Sequence, residues 1–197
     1  MKKLLVICIL APLISAGTAD AAATLTFDEL PYQSVDGLSY KGVTFGFNVE
    51  GSPSSDAYYN AIGPGTLKYI QGNSLEGNAR GALTLDFDSP INKLEFGIAL
   101  NTRRPVYQAY EVKLFDESLT LLAALNNSTN PLVYWSEGKF SYNGTAISRA
   151  VVDFNQCYAR RFAMDNLTAN TIPAPGAILL STLGAGCVGW LRRRKTL

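Results

Sequence analysis

The sequence predicts an all-β, antiparallel β-sandwich domain that lies between two targeting segments. Apolar and polar residues alternate at a period of two along many short runs, which is typical of strands with one buried face. Between residues 22 and 171, no run of ten or more residues carries an apolar pattern at helical spacing. Polar turn residues separate the runs. These observations favour a single domain built from short strands.

The N-terminus has the pattern of a secretory signal peptide over residues 1–21. Lys2 and Lys3 precede the apolar run 4–10, and Ala19-Asp20-Ala21 fits the small-x-small rule for cleavage. The apolar run is short for a membrane span, which favours cleavage over a permanent signal anchor. We therefore expect export, removal of the leader by signal peptidase, and a mature chain that begins at Ala22.

The C-terminus, residues 172–197, has the pattern of a short membrane segment. Residues 177–191 are apolar and uncharged, and a basic stop follows them, formed by Arg192, Arg193, Arg194 and Lys195. Fifteen residues are fewer than the ~20 of a standard span, but long arginine side chains reach the interface and allow a short one. A single transmembrane helix over 177–191 is therefore predicted, with the basic end cytoplasmic and the domain facing outward.

This tail resembles the PEP-CTERM sorting signal. The corresponding residues are Pro173, Ala174 and Pro175, then the apolar run and the basic end, and Ala174 stands where the family usually has Glu. The resemblance implies a Gram-negative host that makes exopolysaccharide, processing by an exosortase, and delivery to the cell surface or extracellular matrix. A single-span anchor that is never cut is the alternative.

The composition of residues 22–171 excludes several classes of function. The two ends carry six of the 17 basic residues, so this domain holds 11 basic and 15 acidic residues and is mildly acidic. No strongly basic surface typical of a nucleic-acid-binding protein is expected. The chain has no His, which removes Ser-His-Asp and Cys-His catalysis and His metal sites.

The alternation predicts ten strands in the domain. They lie at 24–27, 43–48, 67–70, 82–87, 94–100, 110–114, 119–125, 138–142, 150–154 and 161–168. Turns are predicted at Asp88-Ser89-Pro90, at Asp116-Glu117-Ser118, over 126–131 and at Asn143-Gly144, and residues 51–65 read as a long surface loop. About ten short strands with polar turns predict a β-sandwich of the jelly-roll type.

The domain is similar to jelly-roll or galactose-binding-like modules that precede such tails. The segments that carry this likeness are 27–30, 40–45, 87–91 and 164–167. The resemblance implies a binding module and, in such modules, a structural calcium ion near the first and last strands.

Cys157 is the only cysteine between the two ends, because Cys8 lies in the leader and Cys187 in the apolar tail. An internal disulfide is therefore not available to the domain. Cys157 is expected to be a half-buried strand residue.

Four residues form a candidate calcium site. If the first and last strands are neighbours, Asp28 and Glu29 come close to Asp165 and Asn166. Calcium takes 6–8 oxygen ligands, so backbone carbonyls would complete the shell. Solvated acids with turn or cap roles are the alternative.

Aromatic and basic residues in predicted loops form a candidate sugar-binding surface. Sugars pack their C–H faces on aromatic rings and present hydroxyl groups to charged side chains. The candidates are Tyr58, Tyr59, Arg103, Arg104, Tyr107, Tyr134 and Trp135. Aromatic residues in β-proteins are also commonly core or cross-strand neighbours, which is the alternative.

A non-catalytic role is expected. A glycosidase needs two carboxylates across a cleft, and the available pairs, Asp86 with Asp88 and Asp116 with Glu117, sit among ordinary polar residues at strand ends. The sequence thus favours an exported matrix protein that binds exopolysaccharide or another glycan. A purely structural or adhesive matrix component without glycan affinity is the alternative, and a glycoside-active enzyme is the third possibility.

Overall fold

A computed structural model describes residues 22–155, 157 and 159–171. Within them the chain is all-β, every strand pairing is antiparallel, and no helix occurs. The strands are β1 (Ala22–Leu25), β2 (Gln33–Ser34), β3 (Ser39–Tyr40), β4 (Val43–Val49), β5 (Ser52–Pro53), β6 (Ala57–Ala61), β7 (Ser74–Asn78), β8 (Gly81–Leu100), β9 (Val106–Phe115), β10 (Leu121–Pro131), β11 (Ser136–Phe154) and β12 (Arg161–Thr171). The predicted all-β class is confirmed.

Two long strands, β8 and β11, each take part in both layers of a sandwich-like sheet. Residues 81–87 of β8 pair with β4 and with residues 149–153 of β11, and β9 and then β10 extend this first layer. Residues 91–100 of β8 pair with β12 and with residues 136–147 of β11. On its other side β12 pairs with β7 and β1, and β6 and β2 follow β7 in this second layer.

The core lies between the two layers. Aromatic rings from strands that are not paired with each other meet there: Phe47 lies 6.0 Å from Phe162, and Phe96 lies 6.5 Å from Tyr110. Leu83 and Leu85 on β8 and Phe45 on β4 are buried in the same cluster. Alternation along each strand sends one set of side chains into this core and the other set outward.

Two of the predicted turns are wrong. Their residues lie inside continuous strands, at points where the pairing between the strands is interrupted. Asp88-Ser89-Pro90 lies inside β8, and Asn143-Gly144 lies inside β11. The register between these strands shifts from Asn143↔Lys93 to Ile147↔Ile91, which leaves extra residues on β11. Such bulges bend a strand. The turn-type residues therefore mark the place where both strands pass from one layer to the other.

Three other local predictions need correction. Residues 67–70 are not a strand, residues 126–131 are not a turn because they belong to β10, and the predicted loop 51–65 contains β5 and β6. The turn at Asp116-Glu117-Ser118 is confirmed: the Asp116 carboxylate accepts hydrogen bonds from the N–H groups of Ser118 and Thr120 at 2.9 and 2.8 Å.

Cys157 is exposed and lies in a turn, so its predicted place in a half-buried strand is wrong. Cys157 lies between β11 and β12 and belongs to neither strand. The predicted signal peptide, the Pro173-Ala174-Pro175 motif, the apolar segment 177–191 and the basic end lie outside the described residues. The part of the chain that the structure describes contributes no helix with the length and apolarity of a membrane span.

Candidate functional site

Residues 67–71 cross the outer face of the second layer, and we call them the crossing segment. Leu67 and Ile70 pack there against Ala99, Ala163 and Trp135, separately from the main core. The approach is close, since a Cβ atom at Gly97 would meet the carbonyl oxygen of Tyr69 at 2.5 Å. The outer face is therefore covered here by backbone, and glycine in β8 makes that possible.

Two buried carboxylates hold the backbone of the crossing segment. Glu137, on β11, accepts hydrogen bonds from the N–H groups of Lys68, Tyr69 and Ile70 at 3.2, 2.5 and 2.9 Å. Asp165, on β12, accepts one from the N–H of Gln71 at 2.7 Å. These bonds satisfy backbone donors that no strand partner reaches, and they fix the segment without making it part of the sheet.

Burial raises the pKa of Asp165 to about 6. Hydrogen bonds from the N–H groups of Gln71 and Asn166 oppose this shift, and the negative charges of Asp28 and Glu29 add to it. The side chain is fully buried. From this buried position its carboxylate holds the backbone N–H of Gln71.

A row of three depressions follows the crossing segment. The largest of the three, about 350 Å³, is mostly apolar and lies among Pro64, Leu67 and residues 132–135. A second, about 140 Å³, lies between Tyr69, Asn130 and Glu137. A third, about 250 Å³, lies beside Glu95, Lys139, Asn166 and Thr168. Lys68 lines all three, so the depressions adjoin one another along one surface.

Tyr134 forms an exposed wall of the apolar depression. Its side chain is 61% exposed, and the guanidinium carbon of Arg103 lies 4.4 Å from its ring centre. Trp135 is half-buried, because it also packs on the small cluster beneath the crossing segment. The structure thus brings together three of the predicted sugar-binding residues, Arg103, Tyr134 and Trp135. We call the apolar depression with these residues the Tyr134 groove.

A second cation and ring lie on the crossing segment itself. The Lys68 ammonium lies 4.9 Å from the ring centre of Tyr69. The neighbouring Tyr69 side chain raises the pKa of Lys68. The surface therefore combines apolar walls with cations that have hydrogen-bond donors to spare.

The other predicted sugar-binding residues lie apart from this groove or are inaccessible. Tyr58 stacks on Tyr32, with ring centres 4.9 Å apart and planes at 9°. Tyr59 is fully buried and donates a hydrogen bond to Glu29, so its ring is not exposed at the surface of the described residues. Arg104 and Tyr107 are exposed at the start of β9, but neither lines the three depressions.

The four predicted calcium ligands serve contacts within the protein. The predicted adjacency of the first and last strands is confirmed, because Leu25 pairs with Leu167. Glu29, however, accepts hydrogen bonds from Lys41 at 2.8 Å and from the Tyr59 hydroxyl at 2.6 Å.

The remaining three ligands are engaged in a similar way. Asp28 accepts a hydrogen bond from Thr26, and the Asn166 amide donates to the carbonyl of Tyr69 at 3.0 Å. Asp165 is held by Gln71. In the described part of the chain, no three acidic or cysteine side chains converge on a point that would hold a metal ion.

The acids considered for glycosidase chemistry are also engaged or isolated. Asp86 forms a two-point ion pair with Arg149, with one N–O distance of 3.0 Å. Asp88 is exposed at the bulge of β8, and Asp116 caps its turn. None of the four acids Asp86, Asp88, Asp116 and Glu117 lines the row of three depressions.

Sequence reasoning missed the crossing segment and its two anchors. Residues 67–70 resemble a short strand because Leu67 and Ile70 are apolar, and Glu137, one residue before the predicted strand 138–142, gives no local sign that it is buried. The flanking Gly65 and Gly72, both at positive φ, were a usable signal that the chain turns on each side. The contact with Gly97 spans too great a distance in sequence to be read from a local pattern.

A separate, polar depression of about 740 Å³ lies at one end of β12. Arg161 lines it and forms ion pairs with Asp56 and Glu76 at 2.7 and 2.9 Å. None of the predicted sugar-binding residues reaches it.

Comparison with known proteins gives structural neighbours only. The sequence matches no protein-family model and no curated protein. A family 29 carbohydrate-binding module has 9% identity and a TM-score of 0.40, over 78% of this chain and 98% of that one. A family 29 module from Piromyces equi has 16% identity and a TM-score of 0.40, over 77% and 92%. An arabinose-bound α-L-arabinofuranosidase has 10% identity and a TM-score of 0.44, over 74% of this chain and 25% of that one.

Proposed function

We propose that this protein is exported and sorted to the cell surface or extracellular matrix, where it binds polysaccharide without catalysis. The observation that carries the binding proposal is the Tyr134 groove, in which an exposed ring and a guanidinium 4.4 Å apart stand beside an apolar depression. A pyranose ring matches this arrangement. Because Arg103 lies over one face of the Tyr134 ring, the axial C–H groups of the sugar pack on the opposite face, and hydroxyls that extend past the ring edge accept hydrogen bonds from Arg103.

The row of depressions favours a chain-like ligand over a single sugar. Lys68 lies between the Tyr134 groove and the depression beside Lys139 and Glu95. Successive sugars of an extended glycan would therefore meet an apolar wall first and then a charged stretch. Both signs of charge occur there, so a neutral glycan suits the surface better than a strongly acidic one.

Export and sorting are supported by the two ends of the sequence. Residues 1–21 have the leader pattern, and Pro173, Ala174 and Pro175 precede the apolar run and basic stop. N-terminal sequencing of the protein recovered from the surface of an exosortase-bearing Gram-negative host tests this. A chain that begins at Ala22 supports export, whereas full-length protein confined to the cytoplasm contradicts it.

Affinity electrophoresis of the full chain tests the binding proposal. The gels contain a neutral β-glucan, a glucomannan, a galactan or a polyuronate. Retardation by a neutral polysaccharide is expected, and Tyr134→Ala removes it. Tyr32→Ala is the matched control, because Tyr32 is 62% exposed and stacks elsewhere on Tyr58. Retardation that is lost in Tyr32→Ala and kept in Tyr134→Ala would place the site at the other surface and overturn the groove.

Structural calcium at Asp28, Glu29, Asp165 and Asn166 stays a separate prediction. A calcium ion at Glu29 has to displace the Lys41 ammonium, which already neutralises it. Thermal unfolding with calcium and then with EDTA tests the ion. A calcium-dependent rise in Tm supports it, and identical curves contradict it.

A further inference from the structure

Strand β10 forms the outer edge of the first layer. Residues 121–129 pair with β9 on one side, and on the other side no strand of the described residues adjoins them. Only the end of the strand, at Asn130 and Pro131, pairs with β11. A free strand edge presents backbone N–H and C=O groups at the spacing that another strand needs.

The sequence of this edge lacks the usual protection against strand pairing. Leu121–Pro131 contains no charged residue, and its only proline stands at the end. Natural edge strands commonly carry lysine or an internal proline, because either one blocks a partner. Leu121, Leu122 and Leu125 are instead 51%, 40% and 37% exposed. A partner strand would therefore bury leucine side chains as well as backbone groups.

The two ends of β10 lie beside charged residues of opposite sign, acidic at the start of the strand and basic at its end. The turn that carries Asp116 and Glu117 joins β9 to β10, at the end where Leu121 pairs with Phe115. Arg103 and Arg104 precede β9, at the end where Val106 pairs with Thr129. Arg104 and Glu117 are exposed, and neither is in an ion pair with a described residue.

We propose that β10 pairs antiparallel with β10 of a second copy of this chain, about a two-fold axis, so that the first layer continues across both copies. In this orientation the acidic end of each copy meets the basic end of the other, whereas a parallel orientation sets like charges together. The uncharged centre brings the two leucine clusters together without repulsion.

The dimer would carry two Tyr134 grooves. Two grooves on one rigid assembly bind a repetitive polysaccharide with greater avidity than one groove does. Self-association does not depend on glycan binding, so the two proposals fail or stand separately.

Sedimentation velocity of the full chain tests the edge, with all variants in the same detergent. The protein concentration is varied between about 1 and 100 µM. Over this range we expect monomer and dimer to be in equilibrium, with the dimer fraction rising as the concentration rises. Ala124→Lys places two ammonium groups across the two-fold edge and weakens the dimer about tenfold or more. Ser55→Lys makes the same charge change at an exposed site beside β5, away from β10, and leaves the dimer unchanged.

A charge exchange tests the orientation. Glu117→Arg alone and Arg104→Glu alone each weaken the dimer about threefold, because each sets like charges together at both ends. The double variant Glu117→Arg/Arg104→Glu restores wild-type association. A monomer throughout the concentration range, equal weakening by Ser55→Lys, or no restoration in the double variant overturns the proposal.

Discussion

The backbone of Tyr69 rests directly on Gly97. A Cβ atom at Gly97 would lie 2.5 Å from the Tyr69 carbonyl oxygen and 2.8 Å from the Tyr69 Cβ. Both atoms belong to the crossing segment, and backbone cannot rotate away as a flexible side chain does. This contact sets the height of the crossing segment above β8, and both residues line the depression beside Glu95 and Lys139.

Gly97→Ala is expected to lift the crossing segment and destabilise the fold. Overpacking of this kind costs about 1–3 kcal/mol. Gly46→Ala is the control, because its Cβ would meet Thr84 at 3.5 Å, an ordinary contact. Urea unfolding of both variants checks the difference. Equal stability of the two would show that the segment does not rest on β8.

Glu137→Gln is expected to weaken the hold on the crossing segment. An amide has one acceptor oxygen, so at least one of the three N–H groups of Lys68, Tyr69 and Ile70 loses its partner. A buried donor left without an acceptor costs about 1–3 kcal/mol. Glu50→Gln, at an exposed glutamate, serves as the control. Chemical unfolding measures the free energy, and hydrogen exchange at residues 68–70 reports the release directly.

The raised pKa of Asp165 predicts that stability falls as the pH rises through about 6. In the unfolded chain the carboxyl has a pKa of about 3.9, so folding favours the protonated form. This contribution is complete below about pH 4 and is lost above the folded pKa. Urea unfolding from pH 4 to 7 is expected to show the decline, and Asp165→Asn to abolish its slope. An unchanged slope in Asp165→Asn would assign the decline to another group.

The lowered pKa of Glu29 predicts the opposite behaviour in acid. Burial raises this pKa, but hydrogen bonds from Lys41, Tyr59 and the Thr26 N–H outweigh burial and bring it to about 2. The stabilisation is complete above the unfolded pKa of about 4.3 and is lost as the pH falls towards 2. Tyr59→Phe removes one of these bonds, so its acid unfolding is expected to begin at higher pH. Identical acid transitions would contradict this account.

The strands that alternate strictly were predictable, because their pattern is local. Leu83, Leu85 and Phe87 share a face of β8 as expected, and Val112 and Leu114 do so on β9. The turn predicted at Asp88-Ser89-Pro90 was wrong, because the same residue types are suited both to a chain reversal and to a bulge within a strand. The choice between the two depends on the partner strand, which is far away in sequence.

The site was predictable only in part. Tyr134, Trp135 and Arg103 carry a recognisable aromatic and basic composition, and the fold brings them together. Lys68 and Tyr69 join them only because Glu137 and Asp165 hold the crossing segment above Gly97. Tyr59 was predicted to lie in a loop but is buried in β6. Its neighbour Tyr58 has the same side chain, so the sequence does not show which of the two tyrosines points into the core.

Isothermal titration with a neutral polysaccharide that retards the chain tests the central claim most directly. The comparison is between wild type, Tyr134→Phe and Tyr134→Ala. If the ring of Tyr134 stacks on a sugar, Tyr134→Phe keeps a Kd close to that of wild type and Tyr134→Ala raises it about tenfold. Equal Kd values for Tyr134→Ala and wild type would contradict glycan binding at the Tyr134 groove.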